Sequence, residues 1–370
     1  MGTMLSLQDV TKIYPGAGNL KAVDELSFDL QEGEICTVVG PSGCGKTTAM
    51  KMINRLISIT SGKIYIDGEN VARLNTIELR RKIGYVIQNI GLFPNMTIGE
   101  NIAIIPKLLK WNKGRIEEKV LSLLEIVNLP PDMYRDRYPR ELSGGQQQRI
   151  GVARAMAGDP PIMLMDEPFG AIDPINREHL QNEFLKIQEK VKKTIIFVTH
   201  DIDEAIKMGD KICLLKDGHL VQFASPEEML VNPKNDFVSE FVGGDRTLKR
   251  LNLFTVKKAM QKNPPVVLKT ETVGAALNRS KELGQECLIA IDKEGGFAGI
   301  LNCKDTSFSP DVQVKDVMDP VRAWLPSHSS LKDGLSEIFT HDYGFLVVVD
   351  DARKVLGWLR TDDIKNTLKG

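Results

Sequence analysis

The chain has 370 residues, a formal net charge of -1 and a charged fraction of 26%, and a chain of this length is expected to form two or three domains. The near-zero charge, without a long block of like charge, argues against nucleic acid as the main ligand, because phosphate contacts need a basic face. The five scattered cysteines lack metal-ligand spacing and indicate a reduced, cytoplasmic setting. The sequence predicts neither a signal peptide nor a membrane span, so we expect a soluble, cytoplasmic protein that would need to dock if it served a membrane.

The first predicted elements are antiparallel strands between residues 4 and 30, where apolar and polar side chains alternate around the loop YPGAGN. Tyr14 ends the first of these strands. A tyrosine at a strand end usually packs against its own domain, and a ring that stacks on adenine is the alternative. Position alone does not decide between the two.

A P-loop follows the apolar strand EICTVVG and precedes a predicted helix, AMKMINRL. Residues 40–48, GPSGCGKTT, fit the pattern G-x-x-x-x-G-K-[ST] in the strand, loop and helix context that it requires. We expect Lys46 to reach the β and γ phosphates of a nucleotide and Thr47 to offer its hydroxyl to Mg²⁺. The backbone N–H groups that would wrap the phosphates belong to Ser42, Gly43, Cys44, Gly45, Lys46, Thr47 and Thr48.

The next predicted elements are a short strand (KIYIDG), a helical turn (TIELRRK) and a buried strand (IGYVIQ). The last of these strands ends at Gln88. Such a glutamine is usually solvated, but its side-chain oxygen could instead face the metal. The apolar loop after it contains Leu92, Phe93 and Met96, which would be costly to leave in water. We expect either the domain or a partner to cover them.

Helical periodicity between residues 98 and 157, interrupted by prolines, predicts a helical subdomain. It ends in the signature stretch, which is residues 142–149, LSGGQQQR. Ser143 suits an N-cap, Gly145 allows close approach to a ligand, and a helix from Gln146 to Ala157 would direct its positive end at an anion. A serine at a helix N-cap usually has only a structural role. The P-loop upstream favours the alternative, in which this helix start is a second site that binds an anion.

The strand PIMLM closes on Asp166 and Glu167, two adjacent carboxylates at a strand end. Neighbouring carboxylates raise each other's pKa unless they share a cation or water. With Mg²⁺ at Thr47, we assign Asp166 to the metal, through water, and Glu167 to polarising the attacking water.

Asp173 suits the N-cap of the next helix and Pro174 its first position. That helix leads to the strand TIIFVT and then to His200. A lone histidine is more often structural, but at a strand end beside the ligand crevice of an α/β sheet it becomes a candidate donor to the γ-phosphate. A helix, a hairpin around Asp217-Gly218 and two short helices complete the domain by residue 241.

Together, the P-loop, Gln88, LSGGQ, IMLMDE, FGAID and FVTHD resemble an ABC-type ATPase, in that family's order. The resemblance implies an α/β P-loop NTPase fold over residues 1–242, with a RecA-like core, an antiparallel β subdomain and a helical subdomain. It also implies that two copies sandwich two ATP molecules, each site joining one P-loop to the other copy's signature stretch.

The same resemblance implies a role for each matching residue. Lys46 and Thr47 would bind phosphate and Mg²⁺, and Gln88 would contact the metal and sense the membrane partner. The remaining roles are adenine stacking by Tyr14, γ-phosphate binding by Ser143 and Gly145 with nucleotide contact by Gln146, general base by Glu167, a cross-dimer contact by Asp173, and a γ-phosphate switch by His200.

A finer resemblance, carried by MKMINRLI, RYPRELSGGQQQRIGVARA and MDEPFGAIDPI, is to ATPase subunits of importers for glycine betaine, carnitine or choline. It implies a homodimer on the cytoplasmic face of the bacterial membrane, bound to integral-membrane permease subunits and served indirectly by an extracellular substrate-binding protein. The alternatives are an amino-acid or metal-ion importer, a soluble ABC ATPase that acts on ribosomes or DNA, and a sensor with a vestigial ATPase. The single ATPase domain without a long coiled-coil insertion disfavours the second, and the full motif set disfavours the third.

Beyond a polar linker at residues 243–252, the tail contains a repeat. A shift of 58 residues superposes Val256 on Val314, Met260 on Met318, Leu277 on Leu335, Asp292 on Asp350, Gly299 on Gly357 and Asp305 on Asp363. This predicts one supersecondary unit used twice, at residues 253–309 and 310–370. Each unit would contain a helix, an apolar strand, a glycine-containing strand and an acidic helix start.

The repeat resembles a tandem CBS pair, an α+β regulatory module that often binds adenine nucleotides between its repeats. A packing or dimerisation module without a ligand is the alternative. Ligand-binding members commonly carry Ser or Thr three residues before the final Asp, where this chain has Asn302 and Arg360. This departure argues against AMP or ATP as the ligand. It argues less strongly against cyclic di-AMP, which the osmoprotectant relatives suggest, and less strongly against a role in sensing ionic strength.

Overall fold

The computed structural model describes residues 2–15, 20–87, 91–170, 172–304, 308–320, 323–341 and 343–369. Contacts divide the chain into two compact units, Met1–Gly244 and Asp245–Gly370. Among the described helices, none has the length and apolar character to cross a membrane.

The elements of the first unit are two sheets of strands and the helices around them. The strands are β1 Thr3–Tyr14, β2 Leu20–Gln31, β3 Ile35–Val39, β4 Ser61–Ile66, β5 Glu69–Asn70, β6 Ile83–Val86, β7 Ile162–Asp166, β8 Thr194–Val198, β9 Lys211–Lys216 and β10 His219–Ala224. The helices are α1 Lys46–Ile53, α2 Thr76–Arg81, α3 Ile98–Leu108, α4 Lys113–Ile126, α5 Pro131–Tyr134, α6 Gly144–Met156, α7 Pro174–Val191, α8 Ile202–Met208, α9 Pro226–Val231 and α10 Asp236–Val242.

The larger sheet has the order β10-β9-β3-β8-β7-β6, and its pairs from β9 to β6 are parallel. Every residue of β3 and β8 is buried, as expected for strands covered on both faces. The carboxyl ends of β3, β8 and β7 therefore lie side by side at one edge of the sheet. This confirms the predicted α/β core and brings the segments that follow these strands together.

The smaller sheet, β2-β1-β4-β5, is antiparallel and confirms the strands predicted between residues 4 and 30. Its inward-facing side chains, such as Leu5 and Leu26, form one core with Met50 and Met52 of α1. The sheet therefore packs on the helix that follows the P-loop.

The predicted helical subdomain is present as α3 to α6, whose apolar faces share a core with Met163 and Met165 of β7. Several predicted boundaries were displaced, and helix α6 begins at Gly144 rather than at Gln146. The helix after the P-loop begins at Lys46 rather than at Ala49, and the third strand after it ends at Val86. Gln88, expected to end that strand, lies outside the described residues.

The second unit contains two three-stranded sheets, β11-β12-β13 and β14-β15-β16. Its strands are β11 Val266–Leu268, β12 Cys287–Ile291, β13 Phe297–Asn302, β14 Trp324–Pro326, β15 Phe345–Val349 and β16 Val355–Arg360. Its helices are α11 Arg246–Leu253, α12 Val256–Ala259, α13 Val273–Leu283, α14 Leu331–Thr340 and α15 Thr361–Lys369. The bounds of each strand in the first sheet recur 58 residues later in the second, which confirms the repeat.

Each repeat is completed by the first residues of the other repeat. Thr255 bridges to Ser330, and the matching bridge, 58 residues on, joins Gln313 to Thr272. Leu251 of α11 is buried in the core that contains Leu331 and Leu359 of the second repeat. Most of the stretch expected to be a linker, residues 243–252, is therefore helical and belongs to the second unit. The repeat boundaries at 253–309 and 310–370 remain predictions, and Asp305 lies outside the described residues.

Candidate active site

The P-loop lies between the carboxyl end of β3 and the start of α1, where Gly45 has a φ of 103°. A Cβ on Gly45 would lie 2.3 Å from the carbonyl oxygen of Ala22, and a Cβ on Gly40 would lie 2.1 Å from that of Leu215. Only glycine fits this close approach of backbones. The loop is thereby fixed against β2 and β9, with Ser42 and Gly43 exposed at a helix N-terminus that favours an anion.

Lys46 is only 8% exposed, and its ammonium is held by the loop itself. Its Nζ donates to the carbonyl oxygens of Gly40, at 2.7 Å, and Pro41, at 2.9 Å, and lies 3.7 Å from Cys44 Sγ. Burial raises the pKa of the Cys44 thiol, although the positive charge of Lys46 opposes this. The lysine is therefore placed inside the loop, beside a thiol that stays neutral.

Thr47 and Asp166 form a donor set that suits a hard divalent cation. The Thr47 hydroxyl lies 3.5 Å from Oδ1 of Asp166, which ends β7. Burial raises the pKa of Asp166, the neighbouring Glu167 raises it further, and the charges of Lys51 and Lys46 oppose the shift. A cation beside this desolvated carboxylate would relieve both unfavourable effects, and Mg²⁺ typically takes one or two protein oxygens plus phosphates. The residues therefore fit Mg²⁺.

Glu167 adopts a φ of 44°, in the left-handed region that non-glycine residues rarely occupy. Its N–H donates to the carbonyl of Val198 at 2.9 Å, and its carbonyl accepts from Gly170 at 3.1 Å. The turn directs the carboxylate towards the segment after β8, where Oε2 lies 3.4 Å from Nδ1 of His200. Backbone strain of this kind is often found at functional sites.

The signature stretch begins helix α6 with a reciprocal cap. The N–H of Gln146 donates to Oγ of Ser143 at 3.3 Å, and the N–H of Ser143 donates to Oε1 of Gln146 at 2.9 Å. A Cβ on Gly145 would lie 3.2 Å from Leu180, so this glycine also lets α6 pack on α7. In the described part of the chain the hydrogen bonds of Ser143 are local, and its exposed helix start is open at the surface.

Two further predicted residues take up the expected local positions. Asp173 caps α7, since its Oδ1 accepts from the N–H of Asn176 at 3.2 Å. Tyr14 ends β1 and pairs with Leu20 of β2, and the residue is 38% exposed. Leu20 lies two residues before Ala22, whose carbonyl approaches Gly45. Their contacts with a nucleotide, like the metal contact of Gln88, stay predictions.

The loop before α3 is partly covered and partly exposed. Leu92 packs on the helical core, whereas Phe93 is 52% and Met96 36% exposed. The buried amide of Asn101 holds the loop by donating to the carbonyls of Phe93, Met96 and Thr97 at 3.0 to 3.1 Å, and by accepting from the N–H of Phe93 at 2.8 Å. Sequence reasoning missed Asn101, because its only signal is one amide among the apolar residues of α3.

Comparisons with known proteins bear on both units. The ABC transporter family profile matches residues 23–170, and the CBS domain profile matches residues 314–370. The glycine betaine/carnitine/choline transport ATP-binding protein OpuCA of Bacillus subtilis is 46% identical over 362 residues, or 96% of this chain and 93% of the relative. The osmoprotectant import ATP-binding protein OsmV of Salmonella typhimurium is 44% identical over 368 residues, or 99% of this chain and 96% of the relative. The choline transport ATP-binding protein OpuBA of Bacillus subtilis is 44% identical over 363 residues, or 96% of this chain and 93% of the relative.

Among solved structures, the dimeric structure of the ATP-binding cassette MJ0796 bound to ADP and Pi is similar, with a TM-score of 0.53 and 36% identity. The similarity covers 60% of this chain and 99% of that one. The predicted ATPase fold is thereby confirmed for the first unit, and the relatives extend the similarity through the tail.

Proposed function

Since this chain belongs to the family of ABC transporter ATP-binding proteins, we propose that it hydrolyses ATP to power the import of a quaternary-amine osmoprotectant, namely glycine betaine, carnitine or choline. The observation that carries the proposal is the meeting of Lys46, Thr47, Asp166, Glu167 and His200 at one sheet edge. The substrate class follows from relatives that are named for these solutes and are similar over nearly the full chain.

Within one chain, these residues divide the work of ATP hydrolysis. The Lys46 ammonium, already buried in the loop, turns to the β and γ phosphates, and the P-loop N–H groups hold their oxygens. Thr47 and Asp166 would hold Mg²⁺, which would neutralise charge on the phosphates. Glu167 accepts a proton from water as the water oxygen attacks the γ-phosphorus. The bond between the γ-phosphorus and the β,γ-bridging oxygen breaks in the same step. His200 donates a hydrogen bond to the γ-phosphate.

The site is completed by a second copy of the chain. Ser143 and Gly145, with Gln146 beside them, form an exposed helix start that suits an anion, and the bonds of Ser143 stay within its own cap. We therefore place them against the γ-phosphate held by the partner copy, with Asp173 as a contact across the interface. Tyr14 stacks on the adenine of its own chain. The similar cassette MJ0796 is described as dimeric, which supports this arrangement.

The chain works at the cytoplasmic face of the bacterial membrane, docked on permease subunits. An extracellular substrate-binding protein delivers the solute to these subunits. The docking surface would be the loop of residues 88–97, in which Gln88 would contact the metal while Phe93 and Met96 offer exposed apolar contacts. Asn101 holds residues 93–97 of this loop, which would help to pass motion at the metal to the permease.

Uptake into proteoliposomes that contain the chain and its permease tests the substrate class. We expect ATP-dependent uptake of at least one of the three osmoprotectants to exceed that of amino acids by about tenfold or more, a difference of about 1.4 kcal/mol. Vesicles loaded with ADP are the control. Uptake of amino acids alone would contradict the proposal in favour of an amino-acid importer.

We further propose that the tail regulates the ATPase by binding cyclic di-AMP or another adenine nucleotide. The carboxylate of Asp363 is already occupied by the N–H of Arg360, at 2.9 Å, and by Nε2 of Gln261, at 2.8 Å. This disfavours a ribose contact there and hence AMP or ATP. The Arg360 guanidinium lies 4.8 Å from the ring centre of Trp358, and its Nε lies 3.4 Å from Oδ2 of Asp363. The side chain is 41% exposed, which leaves part of it accessible to a phosphate.

Calorimetric titration of the full chain with cyclic di-AMP, with AMP for comparison, tests the tail ligand. We expect binding of cyclic di-AMP, weakened at least about tenfold in Arg360→Ala, because loss of a charge-assisted phosphate contact costs about 1.5–3 kcal/mol. Arg353→Ala, which removes the guanidinium stacked on Trp324, is the matched control. Absence of heat with cyclic di-AMP would favour the packing or dimerisation module.

A further inference from the structure

A buried carboxyl that the proposed chemistry does not use lies four residues after His200. Glu204 of α8 is 7% exposed, and burial raises its pKa. A carboxyl at this depth is costly unless it is hydrogen-bonded, so its partners show what it does in the fold.

The first partner of Glu204 belongs to the backbone segment that carries His200. The Thr199 hydroxyl acts on the Glu204 carboxylate and opposes the rise in its pKa. Oγ1 of Thr199 also accepts from the N–H of Asp201 at 3.1 Å, and Oδ1 of Asp201 accepts from the N–H of Glu204 at 3.2 Å. The bond to Oδ1 of Asp201 comes from the Glu204 backbone and caps α8. The carboxyl itself reaches both sides of His200 through Thr199, whose Oγ1 also holds the N–H of Asp201.

The second partner comes from α7. Nε2 of Gln181, which is 6% exposed, donates to Oε1 of Glu204 at 2.9 Å. Arg177, one turn earlier on α7, also acts on Glu204 through its charge, and its Nη2 donates to the carbonyl of Ile172 at 2.9 Å. The carboxyl thus joins the His200 segment to the helix capped by Asp173.

The side chain of His200 is 63% exposed, so packing around the imidazole cannot fix its direction. Its orientation depends on the backbone on either side and on its contact with Glu167. We propose that Glu204 is a positioning residue for His200, which holds Thr199 and Asp201 against α7 so that the imidazole stays beside Glu167. This inference rests on the proposed role of His200 in ATP hydrolysis.

The test is a double-mutant cycle on ATP hydrolysis, with Glu204→Gln, His200→Ala and the combined variant. We expect E204Q to lower kcat about tenfold while KM for ATP changes less than about twofold, because the P-loop is untouched. We expect H200A to lower kcat at least about a hundredfold and the double variant to be no worse than H200A, since a residue that acts only through His200 has nothing left to position.

A matched control is Glu178→Gln. Glu178 also links α7 to α8, through Lys207 at 3.9 Å, but it is 77% exposed. We expect it to hydrolyse ATP like the wild type. If kcat in E204Q equals that in E178Q, or if the losses in E204Q and H200A multiply in the double variant, Glu204 does not act through His200. Near-normal kcat in H200A would instead overturn the proposed role of His200 itself.

Thr199→Val provides a second variant should E204Q fold poorly. It removes the hydroxyl between Glu204 and the His200 segment without changing charge, and Thr199 is 1% exposed, so the shape of the core is kept. We expect T199V to lower kcat as much as E204Q does. We also expect T199V combined with H200A to have the same kcat as H200A alone. Unchanged kcat in T199V would overturn the inference.

Discussion

Glu167→Gln is expected to lower steady-state ATP hydrolysis at least about a hundredfold, because a positioned general base contributes about 10²–10⁴ in rate. Glutamine keeps the shape of the side chain 3.4 Å from His200 but cannot accept the proton of the attacking water. Lys46, Thr47 and Asp166 are unchanged, so ATP still binds. Without hydrolysis the ATP-closed dimer cannot reopen, and we expect the variant to accumulate as a dimer.

Phosphate release and gel filtration with and without ATP check both parts of this expectation. Glu178→Gln is the control, since it makes the same chemical change at an exposed position in the same unit. Hydrolysis by E167Q within about twofold of the wild type would remove Glu167 as the base. Loss of hydrolysis together with loss of ATP binding would mean that the residue supports the fold of the site instead.

Ser143→Arg is expected to abolish cooperative hydrolysis while a single chain still binds ATP. The bonds that Ser143 makes are local, so a long cation there leaves the P-loop of the same chain intact. It would block the surface that has to meet the partner copy's nucleotide. Loss of the cap itself costs only about 1 kcal/mol, too little to unfold the domain.

Two controls separate the cap from the interface. Ser143→Ala loses the cap without adding bulk, and Ser225→Arg makes the identical change at the cap of α9, where Ser225 accepts from Glu228 at 3.2 Å. We expect ATP hydrolysis at least about a hundredfold lower in S143R than in S225R, in line with the loss of an essential transition-state contact. If S143R still hydrolyses ATP cooperatively, the signature stretch is only a helix cap.

The parts of the fold that sequence predicted are those with local causes. The buried strand before Gly40, the cap at Asp173 and the carboxylate pair after β7 each depend on residues adjacent in the chain. The start of α1 was placed too late, because Gly45 caps this helix through a φ of 103° and not through a side chain that a pattern can reveal.

The missed features have non-local causes. In the segment DIDEAIKM, Glu204 is one of several acids, and its partner Gln181 lies on α7, 23 residues away in sequence. Asn101 likewise gains its role from the loop that returns over α3. The exchange of segments between the two tail repeats pairs Thr255 with Ser330, which no local pattern can indicate.

The central claim is that each ATP lies between the Lys46 loop of one copy and Ser143 of the other. It is tested most directly by counting trapped ATP in mixed dimers of Lys46→Ala and Ser143→Arg chains, which both also carry Glu167→Gln to prevent hydrolysis and are distinguished by different affinity tags. Each homodimer lacks an intact site, whereas the mixed dimer joins the normal loop of one copy to the normal signature stretch of the other. We predict a single trapped ATP per mixed dimer and none in either homodimer. Mixed dimers that trap no ATP would contradict the account.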